Sequence, residues 1–207
     1  MHAKYFRVFV IFISLYGAQL MAVDEATYSL VYDDGIFEVR DYDAYLLAEF
    51  VVDSEFEEAG NKAFRSLFKY ISGDNQSQEE ISMTAPVTQK SVGEVISMTA
   101  PVIQKFSQNQ YVISFMMPDT YTMQTIPKPS DPAISIRYVE PQRMAVVKYS
   151  GFWSKSNYEK NRQLLDTWVV TQNLKVTGDH IWARYNAPFS LWFTRRNEIM
   201  LPITRKE

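Results

Sequence analysis

Residues Ile81 to Lys105 carry one seven-residue stretch twice, and this repeat limits what the chain can become. Ile81-Ser82-Met83-Thr84-Ala85-Pro86-Val87 returns unchanged at Ile96 to Val102, fifteen residues on. In each copy the apolar residues alternate: Ile81, Met83, Ala85 and Val87, then Ile96, Met98, Ala100 and Val102. Alternation of period two is the mark of a strand with one buried face. The spacer holds Ser91, Gly93 and Glu94, which suits a reversal. Pro86 and Pro101 have no N–H to give a ladder, so they belong at an edge, a bulge or a strand end. The pattern predicts a hairpin with interrupted pairing and with Met83 and Met98 facing inward.

The first 22 residues read as an address rather than as fold. Lys4 and Arg7 precede a short apolar run, Val8 to Leu15, and Leu20-Met21-Ala22 offers a small residue for cleavage. This is the pattern of a secretory signal peptide over residues 1–22, with an uncleaved anchor as the alternative and no stable membrane span after cleavage. The expected location is periplasmic or secreted. Losing Lys4 and Arg7 leaves 19 basic against 24 acidic residues, a net charge of −5. No basic block stands out, so nucleic acid is not an expected partner. With no Cys, an exported domain must hold together by packing alone.

Residues 23–207 read as a single domain. Strands are predicted over Tyr28–Tyr32 and Phe37–Tyr42 around the Asp33-Asp34-Gly35 turn, then over Ala44–Val52. A helix follows, with Ser54 and Glu57 as a capping box, an apolar stripe from Phe56 to Ile71, and Gly73 as C-terminal cap. Phe64, Leu67 and Phe68 lie in that stripe; Glu58, Lys62, Arg65 and Lys69 lie opposite. Further strands are expected at Tyr111–Met117, Ile134–Val139 and Met144–Tyr149, on either side of a proline-rich connection from Tyr121 to Pro132. A second helix is signalled by Ser156 with Glu159 and by Tyr158, Leu164, Leu165, Trp168 and Val169. The tail, Ile181 to Ile203, is strand-like.

A constant offset of 97 residues links Arg40 to Arg137, Ala48 to Ala145, Phe56 to Trp153, Leu67 to Leu164, Phe68 to Leu165 and Ile71 to Trp168. Ala85-Pro86-Val87-Thr88 has an echo in Ala187-Pro188-Phe189-Ser190. The chain therefore reads as a duplicated α+β unit, with halves at about 28–106 and 111–203. Each half would bury a helical stripe against a largely antiparallel sheet or open barrel.

These stretches also carry a family likeness. Phe37-Glu38-Val39-Arg40-Asp41-Tyr42, Lys69-Tyr70-Ile71-Ser72-Gly73 and both Met-Thr-Ala-Pro-Val copies resemble the SOUL family of haem-binding proteins. So do Met117-Pro118-Asp119-Thr120-Tyr121, Ile126-Pro127-Lys128-Pro129, Ala183-Arg184-Tyr185-Asn186 and Arg195-Arg196-Asn197-Glu198. The resemblance implies a pseudo-twofold, distorted β-barrel or sheet flanked by two helices. It implies haem or another tetrapyrrole as cofactor, held in an apolar cleft near the first helix; it does not imply catalysis, and the chain is expected not to be an enzyme. A carrier, buffer or scavenger follows from that, with a small-ligand or protein-interaction module on the same scaffold as the alternative. Basic residues around the first helix would meet the propionates. Lys69 matches one such position; another falls on Asn61, a departure, with Lys62 and Arg65 as basic neighbours.

Iron takes His, Cys, Met or Tyr from proteins. His180 sits in a turn and reads as a surface histidine; Met83 and Met98 could donate a thioether but alternate like core residues. Tyr70 and Tyr185 read as structural. Arg195-Arg196-Asn197-Glu198 reads as a strand-end network of arginine, carboxylate and carbonyl groups. There is no GxSxG, HExxH or P-loop, and one His after residue 22 leaves little for a His-based triad.

Overall fold

The computed structural model describes residues 25–77, 93–187 and 189–205. The first copy of the repeat, residues 1–22, Met83 and Pro188 lie outside these. Three strands, β1 (Tyr28–Asp34), β2 (Phe37–Tyr42) and β3 (Tyr45–Val52), lead into helix α1 (Phe56–Ile71). Then come β4 (Asn75–Gln76), β5 (Val102–Ser107), β6 (Gln110–Met116) and β7 (Lys128–Pro129). The second half holds β8 (Ile134–Val139), β9 (Gln142–Tyr149), α2 (Lys155–Thr171), β10 (Leu174–Val176), β11 (Ile181–Arg184), a 3-10 turn (Trp192–Thr194) and β12 (Asn197–Arg205). The fold is α+β.

The main sheet is antiparallel and runs β1-β2-β9-β12-β11-β5-β6-β3-β8, with β10 also on β12 and β4 paired to β7 separately. β2 and β8 have bounds 97 residues apart, and so do β3 and β9. Exchanging each strand for its counterpart (β2 with β8, β3 with β9, β5 with β11, β6 with β12) returns the same order from β2 to β8, read backwards. A pseudo-twofold axis therefore passes between β5 and β11. Only Asp43 and Ala44 join β2 to β3, and only Glu140 and Pro141 join β8 to β9, although each pair stands at opposite ends of the sheet. Two residues span about one strand spacing, so the sheet must roll up. It does not close: β1 and β8 are its ends among the described residues.

In the helices the offset is 98 rather than 97. Ala63, Leu67, Tyr70 and Ile71 of α1 are buried, and so are Asn161, Leu165, Trp168 and Val169 of α2. Leu164, the expected partner of Leu67, is 42% exposed, and Phe68, the expected partner of Leu165, is 47% exposed. One extra residue after β9 shifts the stripe; matching letters without their burial gave the wrong register.

The caps differ in a related way. Glu55, not Ser54, is the α1 N-cap, without a side-chain cap bond. Glu57 reaches across to accept the Lys155 N–H in the first turn of α2 at 3.1 Å, where a carboxylate meets the positive end of the helix dipole. In α2 the N-cap is Ser154, bonded to the Asn157 N–H, while Glu159 pairs with Arg162 instead of closing a capping box with Ser156. The end of α1 does follow its sequence. Gly73 has φ +106, Asp74 N–H donates to Lys69 O and Gly73 N–H to Tyr70 O, a Schellman motif.

Both sheet faces are apolar. α1 covers Leu46, Ala48, Ile113 and Phe115; α2 covers Ala145, Val147, Ile199 and Leu201. The concave face holds Tyr42, Met144, Val146 and Met200 beside Leu47, Ile103, Met116 and Val139, with Ala26, Tyr45 and Ile181 touching both groups. The buried charges of β2 and β12 are paired. Arg40 donates to Glu198 through two nitrogens (2.8 and 3.0 Å), to Tyr42 and to Glu38. Burial works against its charge, but Glu198 outweighs that and holds the Arg40 pKa above the usual range. Burial raises the Glu38 pKa, and hydrogen bonds from Lys148 and Arg40 bring it below the usual value. Arg196 adds bonds to Glu198 and Glu25, and Arg195 Nε donates to Ser190 O, which is the strand-end network expected of this motif.

Arg40→Leu should lower the free energy of unfolding by about 3 kcal/mol or more, because it strips a buried carboxylate of its two-point partner. Urea unfolding checks this, and a loss under about 1 kcal/mol contradicts the pairing described.

Candidate functional site

The second copy of the repeat is not a strand until Val102. Ile96 N–H donates to Ile71 O at 2.8 Å, so the segment hangs from the end of α1 rather than from a sheet neighbour. Glu94 is clipped on both sides by the Asn75 amide. Gly93 runs against Gly73 so closely that an added Cβ would lie 1.6 Å from the Gly73 oxygen, which only glycine permits. Further on, the Thr99 hydroxyl donates to Met116 O, replacing a ladder bond with a side-chain bond. Pro101, which has no N–H, completes the irregular stretch. The alternation fails here for that reason. Ile96, Thr99 and Ala100 are buried, while Met98 is 42% exposed and turned away from the core.

Met98 faces a cleft of about 460 Å³. One wall is α1, through Gly60, Asn61 and Phe64; another is the repeat, through Met98, Thr99, Ala100 and Val102. Trp153, Arg184, Tyr185, Asn186 and Ala187 form the floor and far side, and Phe189, 91% exposed, is a lip. This volume and this mostly apolar lining match a small-ligand site. Tyr185 is held down by its bond to Glu198 at 2.8 Å and by the Arg196 guanidinium 3.8 Å over its ring. Burial holds its pKa well above the ordinary value, so the phenol stays neutral.

Arg184 stands at the floor. Its guanidinium lies 4.8 Å from the Trp182 ring centre and 5.4 Å from that of Trp153. Its Nε is buried without a hydrogen-bond partner, and no carboxylate among the described residues pairs with it. Burial brings its pKa down to about 10, partly offset by Tyr149, so it remains charged at neutral pH.

Of the residues singled out in the sequence, Met98, Asn61 and Tyr185 are in the cleft. Lys62, Arg65 and Lys69 lie on the exposed face of α1 and are not in its lining; Lys62 pairs with Glu58 at 3.3 Å. His180 is elsewhere, bonded to Asp166 of α2 at 2.6 Å and lining a separate cleft of about 430 Å³ with Lys155, Glu159, Arg162 and Asp179. A third cleft, about 560 Å³, is rimmed by Glu25, Asp43 and Asp119. Tyr70 is structural, its hydroxyl bonded to Pro127 O at 2.8 Å. The residue that reading by sequence missed is Arg184. It sits inside one of the family stretches, but nothing local distinguishes it from a strand-end arginine.

A rolled antiparallel sheet flanked by two helices thus leaves an apolar cleft beside α1. The chain belongs to the SOUL family: the sequence profile described as SOUL heme-binding protein matches residues 23–202. It is 28% identical over 172 residues to heme-binding protein 2 of Mus musculus and of Homo sapiens, covering 81% of this chain and 78% of theirs. In fold alone it resembles the EcmrR C-terminal domain (TM-score 0.61, 8% identity, 86% of this chain and 99% of that one). It likewise resembles a hydrolase from Listeria innocua (TM-score 0.51, 11% identity, 84% and 94%). Identities this low carry no activity across.

Met98→Ala should change stability by less than about 0.5 kcal/mol in a urea titration, as expected of a surface position. A loss of about 2–5 kcal/mol, the range for a core methionine, would put Met98 back inside.

Proposed function

We propose that this protein binds haem, or a closely related tetrapyrrole, in the cleft beside α1 and serves as an exported, non-catalytic carrier or buffer. The observation that carries the reading is the cleft itself, in a chain of the SOUL family. It offers Phe64, Met98, Ala100, Val102 and Phe189 to a flat apolar face. The lining fits such a group in charge as well: at its floor lies the half-buried Arg184, which no carboxylate among the described residues pairs, and a tetrapyrrole carries carboxylates. The other two clefts suit it less. One has an acidic rim that would repel propionates, and the other mixes both signs of charge along its walls.

Burial of apolar surface would supply most of the affinity, at about 25 cal/mol per Å². Phe64 and Phe189 would bracket the macrocycle, and Met98 brings the one thioether of the described lining within its reach. The bound group would supply its iron and its light absorption; the chain supplies the shape that keeps it from water. Lys69, Arg65 and Lys62 would then act from outside the cleft, as a positive rim on α1. Export rests on the residue 1–22 pattern and supports scavenging outside the cytoplasm, with N-terminal sequencing of the protein from its native source as the check.

Adding haemin to the protein of residues 23–207 should give a saturable Soret shift at one equivalent. Ala187→Trp, which puts a large ring into the cleft, should abolish the shift while leaving the circular dichroism unchanged. Linear uptake with no break, or full binding by Ala187→Trp, contradicts the reading.

A further inference from the structure

We propose that Arg184 is the carboxylate receptor of the cleft, binding one acid group of the ligand from the floor, and that Gly60 leaves the space its guanidinium fills. This rests on the haem reading and adds the specificity determinant to it: an apolar, flat ligand with a free carboxylate.

Four other arginines of this fold rest on carboxylates. Arg40 is forked onto Glu198, Arg196 onto Glu198 and Glu25, Arg143 onto Asp41, and Arg162 onto Glu159 and Asp166. Arg184 has none of this. Its charge rests between the faces of Trp153 and Trp182. A ring face stabilises a cation but supplies no pair of acceptors for a planar fork of N–H groups. A guanidinium nitrogen shut away from water without an acceptor is costly for a fold to keep, and Arg184 Nε is one. The guanidinium borders the cleft, so a ligand oxygen can reach it, and the planar fork matches a carboxylate at two points.

Gly60 is the second observation. A Cβ built there would lie 2.7 and 2.8 Å from the two terminal nitrogens of Arg184. α1 thus gives up a side chain in mid-helix, at a cost in helix propensity, at the place where the guanidinium lies. The exposed cations of α1 have no such built surroundings.

The test compares haemin with haemin dimethyl ester, whose carboxylates are blocked, by Soret titration and by quenching of tryptophan fluorescence. The wild-type protein should bind haemin about 10- to 100-fold more tightly than the ester, the range for one charge-assisted hydrogen-bonded contact. Arg184→Met should lose that preference and bind both ligands with the affinity of the ester. Arg184→Lys should keep part of it, and Gly60→Ala should weaken haemin more than the ester. Without ligand, Arg184→Met should melt at or above the wild-type temperature, because it removes a half-buried charge that no carboxylate pairs; a marked fall would make Arg184 a structural residue and overturn the proposal. Equal wild-type affinities, or an undiminished preference in Arg184→Met, also overturn it and leave haem binding standing. If the wild-type protein takes up neither ligand, the haem reading falls and this inference with it.

Discussion

The pairing of β5 with β11 lies on the pseudo-twofold axis and, with β2–β9 and β3–β8, joins the two halves of the molecule. Ile181 faces Lys105, Trp182 faces Gln104, Ala183 faces Ile103 and Arg184 faces Val102. Everything else in the main sheet lies to one side or the other of this four-residue seam. At its Arg184 end both strands stop: the Ala100–Pro101 stretch enters on one side, and Tyr185 to Ala187 leaves on the other. Neither segment makes sheet, so a gap opens there, and α1 spans it. The buried Gln104 amide donates to Phe56 O at 2.9 Å and ties the first turn of α1 to the seam. The cleft is thus a consequence of where the seam ends, with the helix fixed above it.

Two arginines, Arg40 in the core and the half-buried Arg184, show how one residue type serves opposite purposes. Arg40 is saturated by Glu198, Glu38 and Tyr42 and locks β2 to β12 across β9. Such a cluster fixes register, since slipping by one residue would strand charges in an apolar core. Arg184 is left unsaturated at the edge of a cleft. Folding leaves it without a carboxylate partner among the described residues, and in the proposed complex a ligand carboxylate is the acceptor. The Met-Thr-Ala-Pro-Val segment has a comparable double use: Ile96, Thr99 and Ala100 face the protein, and Met98 faces the cleft.

Much of the fold was legible because alternation reports burial directly. β2 and β8 start and stop where the pattern predicts, as does the Gly35 turn with φ +68. Symmetry was legible too, but only β2 with β8 and β3 with β9 keep the offset of 97; helices tolerate an added residue where a loop absorbs it. The repeat misled because proline and threonine side-chain bonding broke a strand that its apolar letters described well. Capping residues misled because Glu57 serves the neighbouring helix, a tertiary choice. At the site, sequence pointed to α1 and named cations on its exposed face. It could not single out Arg184, whose significance lies in the carboxylate that is missing beside it and in Gly60, far away along the chain.

A crystal structure of the protein with iron protoporphyrin tests the account most directly. The macrocycle should lie in the cleft between Phe64 and Phe189, with one carboxylate within hydrogen-bond distance of the Arg184 guanidinium and no displacement of Trp153. A macrocycle seated beside His180, or in the acidic cleft near Asp43, or in this cleft with both carboxylates turned away from Arg184, would contradict it.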